Sequence, residues 1–331
     1  MRRQHPIFVD MTGQRARSVT GTVRLVIGAL LVAATGVALL PPSAVAVPTF
    51  TGTRIVIAGD ISCPPGWCNS NAAALATAAL VDSLNPTLTI IAGDIQYENN
   101  ERANYENPGG FNDNWGSLPP ASLYAAVGNH EYRVGSYAFD YWDDHLAPNQ
   151  TTWYALNVNL PSGGHWRILV LDSNCGTWRP QPTCGRYDPM ANFIRSALDN
   201  DNARCELLVW HEPAFATRAP YPGKTAMRTP WWVAEYRKAD LVVSGHNHAY
   251  EYHYQQNYTG ARDRAGMRQI IVGTGGRSLT PFSGTVWPNS YYRNASRYGV
   301  LVLDLAASGW QSSFRTIRGE ILDRHSVGCR W

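Results

Sequence analysis

No apolar run in the 331-residue sequence is long enough to span a bilayer. The longest, Leu25 to Leu40, has 16 residues, short of the ~20 a spanning helix needs. No internal repeat and no low-complexity linker divides the chain. There is no G-x-S-x-G elbow, so the chain offers no serine nucleophile of that kind. "PGKTA" (222–226) resembles the tail of a phosphate-binding loop, but the first glycine such a loop requires falls at Arg218. "GTGG" (273–276) follows an apolar run but fails G-x-G-x-x-G because position 278 is Ser, which leaves it as a tight turn. A strong charge of either sign is missing too. Of 28 basic and 25 acidic residues, positions 1–46 hold five and one, leaving 23 against 24. An electrostatic grip on nucleic acid is therefore not expected.

What the N-terminal stretch does hold is a pattern. Arg2, Arg3, Arg15, Arg17 and Arg24 precede the apolar run, Pro41 and Pro42 break it, and Ala44-Val45-Ala46 follows. A basic region, an apolar region and an A-x-A site read as a secretory signal peptide over 1–46, with a secreted domain over 47–331 and no membrane span after cleavage. No cysteine stands at the cleavage site, which argues against a lipoprotein. All six cysteines lie beyond the leader, and an even number behind a signal peptide reads as disulfides. Six cysteines allow 15 pairings; short loops favour Cys63–Cys68 and Cys175–Cys184, leaving Cys205–Cys329.

Apolar runs rich in Val, Ile and Leu recur at 54–58, 88–92, 123–127, 166–171, 206–210, 241–243, 268–272 and 300–303. Runs this short read as buried strands. "QSSFRTIR" (311–318) alternates, as a half-exposed strand does. Helical patterns cover 71–84, with Asn69 or Ser70 as cap, and 189–198 and 230–238, each opening with proline after Asp188 or Thr229. Strand and helix alternate early and strands dominate late, which indicates an α/β domain built in layers. Long irregular stretches at 95–118 and 212–229 read as functional loops.

The residues just after the apolar runs carry the chemistry. They are Asp60, Asp94, Asn129 with His130, His211, and His246 with His248. In α/β sheets ligands bind at the carboxyl ends of strands. Each residue taken alone reads as a turn or cap, as Asp172 in "LVLDSN" does. Five such strand ends in order point to one shared centre. The number of Asp, Asn and His donors exceeds one tetrahedral site and suits two metals about 3.5–4 Å apart sharing a carboxylate.

These blocks resemble those of the calcineurin-like metallophosphoesterases, and within them the purple acid phosphatases. They are Gly59-Asp60-Ile61-Ser62, Gly93-Asp94-Ile95-Gln96-Tyr97, Gly128-Asn129-His130-Glu131, Leu208-Val209-Trp210-His211 and Gly245-His246-Asn247-His248. The resemblance implies a layered α-β-β-α sandwich, here in a compact single-domain secreted form. Metal one would take Asp60, Asp94, Tyr97 and His248; metal two would take Asp94, Asn129, His211 and His246. Ser62 stands where many relatives place a histidine ligand, and Tyr97 stands where the purple branch places a phenolate. That implies Fe(III) at the Tyr97 site with Fe, Zn or Mn at the other. His130 is assigned transition-state stabilisation and leaving-group protonation. Glu131, Glu212, Glu251 and His253 are candidates for the shell behind the ligands. The implied activity is hydrolysis of small phosphate monoesters through a metal-bound hydroxide. Phosphodiester cleavage on the same metals, and a non-catalytic metal- or phosphate-binding protein, remain alternatives. Ser62 in place of glycine, and Tyr252 where arginine often stands, depart from the family pattern. Asn149, Asn257 and Asn294 lie in N-x-[ST] sequons.

Overall fold

Strands apolar on both faces need cover on both sides. The computed structural model describes residues 49–63, 71–133, 152–176, 183–217 and 223–330, and in it the runs form two mixed sheets. The six-stranded sheet contains β2 (Arg54–Ala58), β3 (Leu88–Ile91), β4 (Leu123–Ala125), β12 (Gly299–Ala306), β13 (Gly309–Thr316) and β14 (Ile321–Gly328). Its order is β14-β13-β12-β2-β3-β4, with β2, β3 and β4 parallel and Ile57 beside Ile90. The eight-stranded sheet contains β1 (Thr49–Thr51), β5 (Tyr154–Asn159), β6 (His165–Val170), β7 (Cys205–Val209), β8 (Leu241–Ser244), β9 (Tyr250–His253), β10 (Arg268–Val272) and β11 (Ser290–Asn294). Its order is β1-β5-β6-β7-β8-β10-β9-β11, with β6, β7, β8 and β10 parallel.

Side-chain alternation explains the layers. Ile168 and Val170 join Leu207, Val209, Ile55 and Ile57 in one core between the sheets. Their neighbours Leu169, Leu171 and Leu208 face the other way and pack with helical residues. Successive residues of one strand thus serve two cores. The outer layer on the eight-stranded sheet is α3 (Pro189–Asp199) with α4 (Arg228–Tyr236). Met190, Ala191, Ile194 and Leu198 form the buried stripe of α3. On the six-stranded sheet, α1 (Ala72–Leu84) buries Ala78 and Val81 and contacts β12. A short α2 (Arg102–Glu106) lies in the loop after β3. The α/β fold with two sheets is the one expected.

Several local readings need correction. The helix expected from Pro230 begins at Arg228, so Thr229 lies inside it and Met227 occupies the capping position. Asp188 does precede α3, but its carboxylate accepts from the Gly185 amide rather than capping the helix. Asn71 precedes α1 without a side-chain cap; Asn69 and Ser70 lie outside the described residues. Strands β1, β5, β9, β11 and β14 were not anticipated. The expected leader, Cys68 and Asn149 also lie outside the described residues.

The disulfides Cys175–Cys184 and Cys205–Cys329 are present, and Cys63 is also disulfide-bonded. Among the described residues, no helix is long and apolar enough to cross a membrane.

Beside Cys205, the half-buried Glu206 meets buried Asp240, whose carboxylate accepts from the Glu206 amide at 2.9 Å. Burial, then the charge on Asp240, pushes Glu206 up from 4.5 to about 8; burial also lifts Asp240 to about 6. A carboxyl that titrates higher when folded stabilises fully below its unfolded value and loses that contribution as pH rises towards the folded value. Glu206 therefore favours the folded chain at pH 4.5 and ceases to do so near pH 8. Melting temperatures of wild type and Glu206→Gln, followed by calorimetry from pH 5 to pH 8, should converge at the acid end, with the variant the more stable at the alkaline end. Cys329→Ser, which opens a loop spanning 124 residues, should cost about 2–5 kcal/mol in denaturant titration.

Candidate metal centre

The parallel strands aim their carboxyl ends at one edge, and the candidate donors sit there. The six-stranded sheet delivers Asp60 after β2, Asp94 and Tyr97 after β3, and Asn129 and His130 after β4. The eight-stranded sheet delivers His211 after β7, and His246 and His248 after β8. One sheet thus supplies oxygen donors and the other supplies imidazoles.

The seven expected ligands come together in two groups that share one atom. In the first, the Tyr97 hydroxyl lies 2.6 Å from Asp60 Oδ1, 2.8 Å from Asp94 Oδ2 and 3.2 Å from His248 Nε2. In the second, His211 Nε2 lies 3.2 Å from that same Asp94 Oδ2 and 3.1 Å from Asn129 Oδ1. His246 Nδ1 lies 3.0 Å from Asn129 Oδ1 and 3.3 Å from His211 Nε2. Asp60, Asp94, Tyr97 and His211 are buried, whereas Asn129, His246 and His248 are half-buried and form the open side.

Backbone groups fix which atoms face inward. His211 Nδ1 donates to the Ala92 carbonyl at 2.8 Å, so its Nε2 points into the cluster. His248 Nδ1 donates to the Ser278 carbonyl, which turns Nε2 inward. The His246 amide donates to Asp60 Oδ2 at 2.7 Å, and the His130 amide to Asp94 Oδ1 at 2.9 Å. Asp60, Asp94 and His246 all have left-handed backbone, with φ of 60°, 51° and 68°. Gly128 packs so closely that a Cβ there would lie 2.2 Å from Asp94 Oδ1.

The donor set fits cations. The Tyr97 hydroxyl has one proton but two carboxylate neighbours. Asn129 Oδ1 faces two imidazole nitrogens, and His211 has already committed its Nδ1 proton to Ala92. Lone pairs converge on lone pairs, an arrangement that requires positive charge between them. Without metal, protons take that place. Burial opposes ionisation of Asp94, yet His211 and His130 hold its carboxyl well below the usual range. Burial likewise disfavours charge on His211, but Asp94 carries it up to about 10. Burial and then Asp60 and Asp94 drive the Tyr97 phenol well above 10. Burial and the charge on His211 bring His246 down to about 3.

The residues expected behind the ligands divide. Glu131 does stand there: its carboxylate accepts from the amides of Asp94, Ile95 and Gly128 at 3.0, 2.9 and 2.6 Å. Burial and Asp94 push it up to about 8, against His211 and those amides. Glu212 instead pairs with Lys224 at 2.5 Å. Glu251 and His253 do not back the cluster. Glu251 accepts from Thr217 and lies 3.2 Å from His253 Nε2 on the opposite face of β9 from Tyr250 and Tyr252. Asp172, read as a turn residue, accepts from the Asn174 amide and from Tyr132. Ser62 points to Asn114 Oδ1 rather than to the cluster. Sequence reasoning missed Glu98 and Arg277. The Glu98 carbonyl accepts from His130 Nδ1 at 2.6 Å, and Arg277 pairs with the Glu98 carboxylate at 2.6 Å. The only hint was the "GTGG" turn, which does reach the site: the Gly275 amide donates to Gly59 and the Arg277 amide to Asp60.

No curated protein matches the sequence. Among solved structures, GAP50, the anchor in the inner membrane complex of Plasmodium, aligns at 15% identity over 84% of this chain and 89% of its own, with a TM-score of 0.66. Purple acid phosphatase PPD1 from yellow lupin seeds aligns at 18% identity over 83% of this chain and 53% of its own, with a TM-score of 0.60. PhoD aligns at 9% identity over 83% and 68%, with a TM-score of 0.50. At these identities the likeness shows the fold alone. The calcineurin-like phosphoesterase model, a family whose members usually bind two metal ions, matches residues 53–250, more than half of the sequence. The chain belongs to the calcineurin-like phosphoesterase family.

Proposed function

We propose that this chain is a secreted, metal-dependent phosphatase that hydrolyses small phosphate monoesters at the seven-donor centre. The observation that carries the reading is the pair of donor groups meeting at Asp94 Oδ2. Asp60, Asp94, Tyr97 and His248 suit one cation; Asp94, Asn129, His211 and His246 suit a second. The phenol beside two carboxylates favours Fe(III) in the first position, with Fe, Zn or Mn in the other. When bound, such ions polarise phosphoryl oxygens and make water acidic enough to attack near neutral pH. The basic and apolar segment over 1–46 and the disulfides support secretion.

The chain's own residues do the rest. Asp94 accepts from the His130 amide, and the ring Nε2 lies 3.8 Å from Asp94 Oδ2. With Nδ1 held by the Glu98 carbonyl, Nε2 is the nitrogen that faces the reacting group. As a hydroxide oxygen bonds to phosphorus and the ester P–O bond breaks, a proton passes from Nε2 of the His130 imidazolium to the departing oxygen, leaving a neutral ring whose Nδ1–H stays on the Glu98 carbonyl. The half-buried Asn129, His246 and His248 leave the approach open. A second reading, a non-catalytic scaffold on the same fold, draws on the likeness to an anchor protein.

Assay of the metal-replete protein decides between these. A nitrophenyl monoester should turn over faster than its bis-ester, and chelation should abolish both rates. Two bound metals with no turnover of either ester would favour the scaffold; faster bis-ester cleavage would favour a phosphodiesterase. His130→Ala should lower kcat for an alkyl phosphate about 100-fold or more while metal content is kept. Tyr97→Phe should lose the visible charge-transfer band of the iron form. Gly128→Ala, whose new methyl group would collide with Asp94, should reduce bound metal as measured by atomic emission.

A further inference from the structure

The His130 imidazole is useful as a proton donor only if one nitrogen is reserved for the task. Its Nδ1 bonds the Glu98 carbonyl, so the position of Glu98 sets the ring. Glu98 is itself held at both carboxylate oxygens. Arg277 Nη2 lies 2.6 Å from Oε1, and Arg133 Nη1 lies 3.1 Å from Oε2. Arg133 follows His130 by three residues, just past the 3-10 turn that carries the imidazole. Arg277 comes from a different sheet connection, 179 residues from Glu98. Its backbone amide donates to the Asp60 carbonyl at 2.8 Å, and its guanidinium lies 5.0 Å from the Tyr97 ring centroid. That ring also packs against His130, with centroids 4.2 Å apart. Arg277 therefore touches the turn of Asp60, the ring of Tyr97 and the residue that holds His130. Arg277 and the Glu98 carboxylate are each about one-fifth exposed, so the pair is shielded from full solvent screening.

We propose that Arg277, acting through Glu98, is a positioning residue that holds His130 with Nδ1–H committed and Nε2 directed at the leaving oxygen of the ester. The inference rests on the phosphatase reading for its consequence in turnover, but its geometry stands apart from that reading. The step served is the one above: the ester P–O bond breaks and the departing oxygen takes the Nε2 proton. An alkoxide needs that proton, whereas a nitrophenolate leaves without it. Loss of an outer partner of a functional side chain commonly costs about 10–100-fold. Arg277→Ala should therefore lower kcat for an alkyl phosphate such as glycerol phosphate roughly tenfold more than kcat for 4-nitrophenyl phosphate, with KM for the two changing alike. Glu98→Gln should reproduce the pattern, and Arg277→Lys, which keeps a charged donor, should restore part of it. Equal losses on both esters in Arg277→Ala and Glu98→Gln, or no recovery with lysine, would overturn the proposal in favour of a merely structural role. A second measurement is independent of turnover. In zinc-loaded, nitrogen-15-labelled wild type, the His130 imidazole should show a slowly exchanging Nδ1–H resonance, and Arg277→Ala should broaden or shift it. An unchanged resonance would also overturn the proposal. Wild type that shows the resonance but hydrolyses neither ester would count against the phosphatase reading alone.

Discussion

A carboxylate stays ionised in a protein interior only where positive charge or hydrogen-bond donors face it. Asp94 is almost wholly buried, and nearly every feature of the centre follows from its need. One oxygen takes the His130 amide; the other lies between the Tyr97 hydroxyl and His211. Because Asp94 belongs to one sheet and His211 to the other, the counter-charge is also a tie between layers. The sandwich is closed at this edge by electrostatics, as the core between the sheets closes it elsewhere.

That arrangement is held against local preference. Asp60, Asp94 and His246 each adopt a backbone conformation that L-residues usually avoid, at a cost of order 1–3 kcal/mol apiece. Each follows a glycine, and each turn is secured by bonds to its neighbours. The Asp60 amide reaches the Gly93 carbonyl, while the His246 amide reaches the Asp60 carboxylate. The turns therefore stabilise one another, and none is explained by its own sequence alone. Glu131 completes the set by gathering three amides around the Asp94 turn.

Much of this was legible in the sequence because strands and their ends are local. A β-branched run closing on Gly-Asp specifies both a buried strand and a turn, and β2 and β3 appear within a residue of their expected limits. Strand β9 was not legible. "YEYH" mixes aromatic and polar residues, and its strand state comes from pairing with β10 and β11. The same alternation explains why Glu251 and His253 fell on the wrong side. Tyr250 and Tyr252 fill the core between the sheets, so the residues between and after them point away from it. Nor does any spacing announce the meeting of Arg277 with Glu98, which depends on how two distant loops lie in the finished fold.

The bridge between Cys205 and Cys329 has a mechanical side. Cys205 opens β7 in one sheet, and Cys329 directly follows β14 in the other. The covalent fastening thus lies at the foot of β7, while His211 stands beyond its far end. In a sandwich fastened at the base, any slight change in the angle between the layers displaces atoms least at the fastening and most at the tips. The tips carry the oxygen donors on one arm and the imidazoles on the other, so the angle between the arms sets how far the one set stands from the other.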